Sequence, residues 1–337
     1  MSSVRFELVP NWEKCPEGPE YSHEDVAAVA CDSKDQVYLH TRKGERVMVY
    51  TENGDFIKKW GDGVFNRAHG MTISGDKAYV TDDNDSVVRI FDLDGNLKSV
   101  LGTPGKHSDT GYQTRPHPPK IHHNEFVVRA AGPFNCCCNV CVAKNGDIFV
   151  ADGYGNARIH HFSADGNLLN SWGDVGTGPG QFHLPHGIAI DNDENIIVCD
   201  RENDRLQFFD RSGKYLYMWT DVLRPTHAAV DKDGLIYVSE LWRPKEAGQG
   251  SFVHGFPEKD LPGRVTVYYP DGKIAARWGA DSENRSKPGN FIAPHGLAID
   301  SKGSLYVSEV STTFGFRAKR MPIEQCINHQ LQKFVRA

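Results

Sequence analysis

The sequence predicts an all-β fold, a six-bladed β-propeller. Three observations carry this. A unit of four short alternating strands recurs with a period of about 40 residues. The turns ENGD, LDGN, ADGN, RSGK and PDGK each fall between the third and fourth strands of a unit. The two chain ends each supply part of one more unit.

The clearest unit spans residues 182–219. Within it HGIAID, NIIVCD, RLQFFD and KYLYMW each read as a strand of period two, and NDEN, REN and RSG read as turns. Laying this grammar along the chain gives blades at about 23–61, 65–102, 134–173, 182–220, 223–279 and 291–337. At the C-terminus QKFVRA reads as a third strand with no fourth after it. RFELVPNW, near the N-terminus, reads as a fourth strand, so residues 4–12 are expected to complete the last blade and close the ring. Two segments break the period, residues 103–133 and 242–262. Insertions of this size on a propeller are expected to be loops that cover a site.

Composition narrows the function classes. A formal net charge of −6 with no long basic stretch argues against a nucleic-acid partner. No apolar run is long enough for a membrane-spanning helix, and the N-terminal stretch lacks a signal peptide's pattern, so a cytoplasmic protein is expected. The oligomeric state stays open. Four of the eight cysteines crowd into NCCCNVC, from Cys136 to Cys141. Neighbouring side chains on a strand point in opposite directions, so reduced thiols in a partly buried strand are expected rather than a metal site or a disulfide framework.

A His-Gly pair opens the first strand of blades two, four and six, in RAHGMTIS, LPHGIAID and APHGLAID. The corresponding positions in blades one, three and five read as Ala27, Asn139 and Thr226. First strands line the axis, and alternate blades of six are related by about one third of a turn. His69, His186 and His295 are therefore expected to converge as three neutral imidazoles, a zinc site with one position open, another divalent transition metal being the alternative. His227, one position out of register, reads as structural or as a neighbour of the ligands. HPPKIHH in the first insertion reads as solvated loop histidines. Residues just after each second strand share that rim: Arg42, Asp82, Tyr154, Arg201, Glu240 and Glu309. Arginine there suits a small-molecule or peptidyl carboxylate substrate, and the acids read as turn anchors or as partners that orient the ligands rather than as catalysts.

These residues together resemble the peptidyl-α-hydroxyglycine α-amidating lyase family, six-bladed propellers of NHL-type repeats. The resemblance is strongest from FVADGYGNARIHHFSADGNLLNSWG to CDRENDRLQFF. It implies zinc on His69, His186 and His295, a catalytic Tyr154 in Asp-Gly-Tyr, an active-site Arg42 and a substrate-side Arg201 in Asp-Arg-Glu-Asn. Gly155 and Gly296 stand where secreted animal members carry a half-cystine and a calcium-holding Asp. The family's disulfides and structural Ca2+ are thus not expected, in keeping with a non-secreted relative. The implied reaction cleaves an N-acyl-α-hydroxyglycine into an amide and glyoxylate, with Tyr154 as base and Arg42 or Arg201 holding the carboxylate. Two alternatives stay open: a metal-dependent, lactonase-like hydrolase on the same face, and a non-catalytic binding propeller.

Overall fold

A computed structural model describes residues 4–112, 127–245 and 250–337. The first strand, β1 (Phe6–Val9), belongs to the last blade. Blade one holds β2 (Val26–Cys31), β3 (Val37–Thr41), β4 (Arg46–Tyr50) and β5 (Phe56–Trp60); blade two holds β6 (Ala68–Ser74), β7 (Lys77–Asp82), β8 (Val87–Asp92) and β9 (Leu97–Leu101). Blade three holds β10 (Cys137–Val142), β11 (Ile148–Asp152), β12 (Arg158–Phe162) and β13 (Leu168–Trp172); blade four holds β14 (Pro185–Ile190), β15 (Ile196–Asp200), β16 (Arg205–Phe209) and β17 (Tyr215–Trp219). Blade five holds β18 (Pro225–Val230), β19 (Ile236–Glu240), β20 (Arg264–Tyr268) and β21 (Ile274–Trp278). Blade six holds β22 (Pro294–Ile299), β23 (Leu305–Glu309) and β24 (Leu331–Arg336), and β1 completes it. The expected propeller and its closure are both present. β1 pairs antiparallel with β24 from Phe6↔Arg336 to Val9↔Lys333, and the innermost strands follow one another around the axis.

The repeat grammar has a packing cause. Gly95, Gly213 and Gly272, with φ of 89°, 86° and 82°, form the turns between third and fourth strands. Each lies against the Trp that ends the preceding blade: a Cβ would sit 2.6 Å from Trp60, 2.6 Å from Trp172 and 2.9 Å from Trp219, respectively. Glycine therefore supplies the left-handed turn and the room for the neighbouring indole at once. The turns are tied by Asp. Asp92 accepts backbone N–H bonds from Asp94 and Asn96, and Asp210 from Ser212 and Lys214.

The structure adds one element to the sequence-based layout. A third segment breaks the period, residues 310–330 between β23 and β24. It carries a π-helical turn (Thr312–Arg317) and a short helix, α1 (Ile323–Cys326). Phe314 and Met321 from it pack on Ala27, Ala68, Ile292 and Ala293 at the mouth of the axis. HPPKIHH lies outside the described residues. All eight cysteines are free, with Cys137, Cys138 and Cys141 buried in β10. No helix among the described residues is long and apolar enough to cross a membrane.

His40, in β3, is fully buried, and neither ring nitrogen has a hydrogen-bond partner among the described residues. Burial, then the charges of Arg42 and Arg89, pushes its pKa from 6.5 down to about 3. A depressed histidine pKa stabilises the fold fully above 6.5 and loses that contribution as pH falls toward 3. His40→Phe is expected to flatten the acid limb of stability between those values, as read by urea unfolding at a series of pH values.

Candidate metal centre and active site

The first strand of every blade carries a β-bulge near its start. In blades four and six the bulged residues are His186 and His295, and in blades one and five they are Ala27 and Thr226. In blade two the irregularity lies between Ala68 and Met71 and includes His69. Blade three differs from the sequence-based register. Its bulge falls between Cys137 and Asn139, so Cys138 rather than Asn139 occupies the equivalent place. The cause is a shift of one residue in the pairing of β10 with β11, which the run of three cysteines hides.

A bulge re-aims its side chain, and here the bulges build a single unit across the blades. His69 Nδ1 lies 2.6 Å from the Cys138 carbonyl, His186 Nδ1 2.7 Å from that of Thr226, and His295 Nδ1 2.6 Å from that of Ala27. Each histidine thus bonds to the bulged residue of the next blade. A carbonyl only accepts, so each Nδ1 carries the proton and each Nε2 is left with a lone pair. The Gly after each histidine allows this approach. A Cβ at Gly70 would lie 2.6 Å from the Cys138 carbonyl oxygen, and one at Gly187 2.6 Å from that of Thr226.

The three rings form a near-equilateral group with centroid separations of 4.8, 4.8 and 4.9 Å. All three are buried, and their candidate ligand atoms lie within 4.8 Å of one another. Burial, reinforced by neighbouring charges, holds all three pKa values well below 6.5 and so keeps the rings neutral. Buried carboxylates fix the approach to each histidine. Asp82 accepts the N–H groups of Asn66 and Arg67, Asp200 that of His183, and Glu309 those of Ile292 and Ala293. The acids at the ends of the second strands are anchors, as their sequence context suggests.

Tyr154 stands beside this group, its hydroxyl 3.1 Å from His69 Nε2 and 3.2 Å from His186 Nε2. One O–H proton can serve only one of these lone pairs at a time. Converging neutral Nε2 acceptors with so few donors are a donor set suited to a divalent cation. The Tyr154 backbone is gripped on both sides, since a Cβ at Gly153 would meet the Pro185 carbonyl at 2.1 Å and one at Gly155 the Asn135 side chain at 2.2 Å. Thr110, from the first insertion, donates its hydroxyl to the Gly155 carbonyl at 2.6 Å.

Arg201 and Arg42 flank the group from opposite sides. Arg201 NH1 is 3.4 Å from the Tyr154 hydroxyl, and its guanidinium lies 5.4 Å from the ring centroid. Arg42 donates to the Ala68 carbonyl at 3.3 Å and to Thr313 Oγ1 at 3.4 Å, with Asp25 3.9 Å away. His227 is buried one place beyond its blade's bulge, 3.4 Å from Asn139 Nδ2, and burial lowers its pKa to about 4. Two groups escaped the sequence reading. Arg67 pairs with Asp83 at 2.6 Å and lies 6.0 Å from the Tyr154 ring centroid. Its position two residues before His69 is the signal that was open to view. Thr313 belongs to the third insertion, whose trace is the long gap between LYVSEV and QKFVRA.

Comparison with known proteins fits this architecture. Residues 134–258 match a family model described as a 6-bladed beta-propeller. Human NHL repeat-containing protein 3 is 30% identical over 326 residues, covering 91% of this chain and 82% of that one. The chain belongs to the NHL-repeat family of six-bladed propellers. Peptidyl-alpha-hydroxyglycine alpha-amidating lyase 1 of Drosophila melanogaster is 27% identical over 267 residues, covering 75% of this chain and 44% of that protein. Among solved structures, a gluconolactonase from Xanthomonas campestris superposes with a TM-score of 0.59 at 11% identity, covering 100% of this chain and 99% of that one, which shows the shared fold. Relatives of this NHL-repeat propeller thus include proteins named as amidating lyases.

Arg201 is held in a buried network centred on Glu202. That carboxylate accepts from Arg201 Nε at 2.9 Å, Arg224 NH2 at 2.9 Å and Arg243 NH1 at 3.2 Å. Burial, then the neighbouring guanidiniums against the pull of Glu202, lowers the Arg224 pKa to about 10. Glu202→Gln removes the shared counter-charge and is expected to cost about 3–5 kcal/mol in urea unfolding. Glu24→Gln, at the exposed pair with Arg317, is expected to cost under about 1 kcal/mol.

Proposed function

We propose that this NHL-repeat propeller is a zinc-dependent lyase that cleaves an N-acyl-α-hydroxyglycine-like acid into an amide and glyoxylate. The observation that carries the reading is Tyr154, its hydroxyl within 3.2 Å of two of the three converging histidine nitrogens and within 3.4 Å of Arg201. The Nε2 atoms of His69, His186 and His295 would hold the metal. Zinc bound there supplies a Lewis-acidic charge that eases ionisation of a nearby hydroxyl.

The chain's own residues account for the remaining steps. Tyr154 acts as the base that takes the proton from the carbinol hydroxyl, with Arg201 NH1 3.4 Å from its oxygen. The C–O bond becomes a carbonyl as the C–N bond breaks, and the amide nitrogen leaves with the bond's electron pair. The proton that Tyr154 removed balances the one the nitrogen requires. Arg42, or Arg201, grips the substrate carboxylate and fixes its orientation. The substrate is a small or peptidyl carbinolamide acid. The proposal includes a cytoplasmic setting, supported by eight free thiols.

Glyoxylate release from an N-acyl-α-hydroxyglycine, followed alongside metal analysis, tests the reading. Tyr154→Phe is expected to lower kcat roughly 10²–10⁴-fold with zinc content unchanged. His186→Ala is expected to lose about one equivalent of zinc together with activity. Full activity in Tyr154→Phe would remove the proposed base. Solvent oxygen in the product would instead mark a hydrolase.

A further inference from the structure

A second cluster of side chains of metal-ligating types lies on the connector that closes the ring. Residues 10–25 connect β1, the outermost strand of blade six, to β2, the innermost strand of blade one. This connector is bound to blade one. Trp12 Nε1 donates to the Glu52 carbonyl at 2.8 Å, and Lys14 N donates to the Gly54 carbonyl at 2.9 Å. The Trp12 ring packs on Tyr50 and on Tyr306 of blade six, so the connector seals the seam where the ring closes.

Lys14 pairs with Asp55 in a short parallel bridge, so the chain is extended there. Its neighbours Glu13 and Cys15 therefore project to the same side, away from the Lys14 side chain. His23 comes back to meet them. Its Nε2 is 2.8 Å from Glu13 Oε1, and ligand atoms of Glu13, Cys15 and His23 all lie within 4.8 Å of one another. His23 Nδ1 is buried with no partner among the described residues. A neutral imidazole that donates through Nε2 leaves a bare lone pair on Nδ1. The Cys15 side is open to solvent, which gives an ion a way in.

We propose that Glu13, Cys15 and His23 form a second zinc site, a structural clip on the connector that closes the propeller. Thiolate, imidazole and carboxylate are the ligands zinc takes at bond lengths of about 2.0–2.3 Å, and here one of each lies within 4.8 Å of the other two. The clip fastens the returning end of the connector, at His23, to the end held on blade one.

Cobalt tests this site independently of the axial histidines, because only Cys15 offers a thiolate here. Reduced, chelator-treated His186→Ala protein is titrated with Co2+ and read in the near ultraviolet. A thiolate-to-cobalt charge-transfer band is expected to saturate at about one equivalent and to vanish when Cys15→Ser is added. Zinc is expected to raise the Tm of His186→Ala but not of the double variant. Wild-type protein serves as a second host, since the axial site contributes no sulfur. No band, a band that survives Cys15→Ser, or one that needs a large excess of cobalt overturns the proposal. None of these outcomes bears on the proposed lyase.

Discussion

The arrangement at the axis depends on one hydrogen bond used three times. A histidine in an even blade gives its Nδ1 proton to the bulged carbonyl of the next, odd blade. That bond fixes the tautomer, the ring plane and the direction of the free lone pair together. It also sets what the neighbours can be. Glycine follows each histidine because the space of a Cβ is already taken, by the next blade's backbone at Gly70 and Gly187 and by the Ser308 hydroxyl at Gly296. The residue at each odd bulge is free in side chain, which is why Ala27, Cys138 and Thr226 have nothing in common but a carbonyl.

Around this centre the loops act as a brace. Tyr154 is clamped between two glycines, with Thr110 holding the backbone beyond it. Arg201 reaches Tyr154 from a network in which one glutamate serves three arginines. Arg42 is held by Thr313 and Asp25, so the third insertion positions an arginine of the first blade. The insertions differ in length and sequence, yet each ends on a residue of the same mouth. The blades supply the directions and the loops supply the restraint.

Much of this could be read from the residues alone. Six-fold repetition and its closure follow from strand alternation and turn glycines, both local properties. The convergence of His69, His186 and His295 follows from their skipping every second blade. What could not be read is what depends on register and contact. A one-residue bulge put Cys138 where simple counting put Asn139. The segment 310–330 has no strand pattern and looked like the rest of a blade, although its role is to pack against the axis. Arg67 was visible in its motif, but only the fold brings it to the face of Tyr154. The Glu13, Cys15 and His23 cluster needs the connector to double back, which no periodicity announces.

The alternation of His-Gly blades with carbonyl-bearing blades has a consequence for how such a ring can change. The two kinds of blade are complementary halves of one pair, and the ring is three such pairs in a circle. Gain or loss of a single blade would set two blades of one kind side by side and break the one-third-turn spacing of the three imidazoles. Even spacing of the ligands thus ties the blade count to the site, a constraint that the fold itself does not impose.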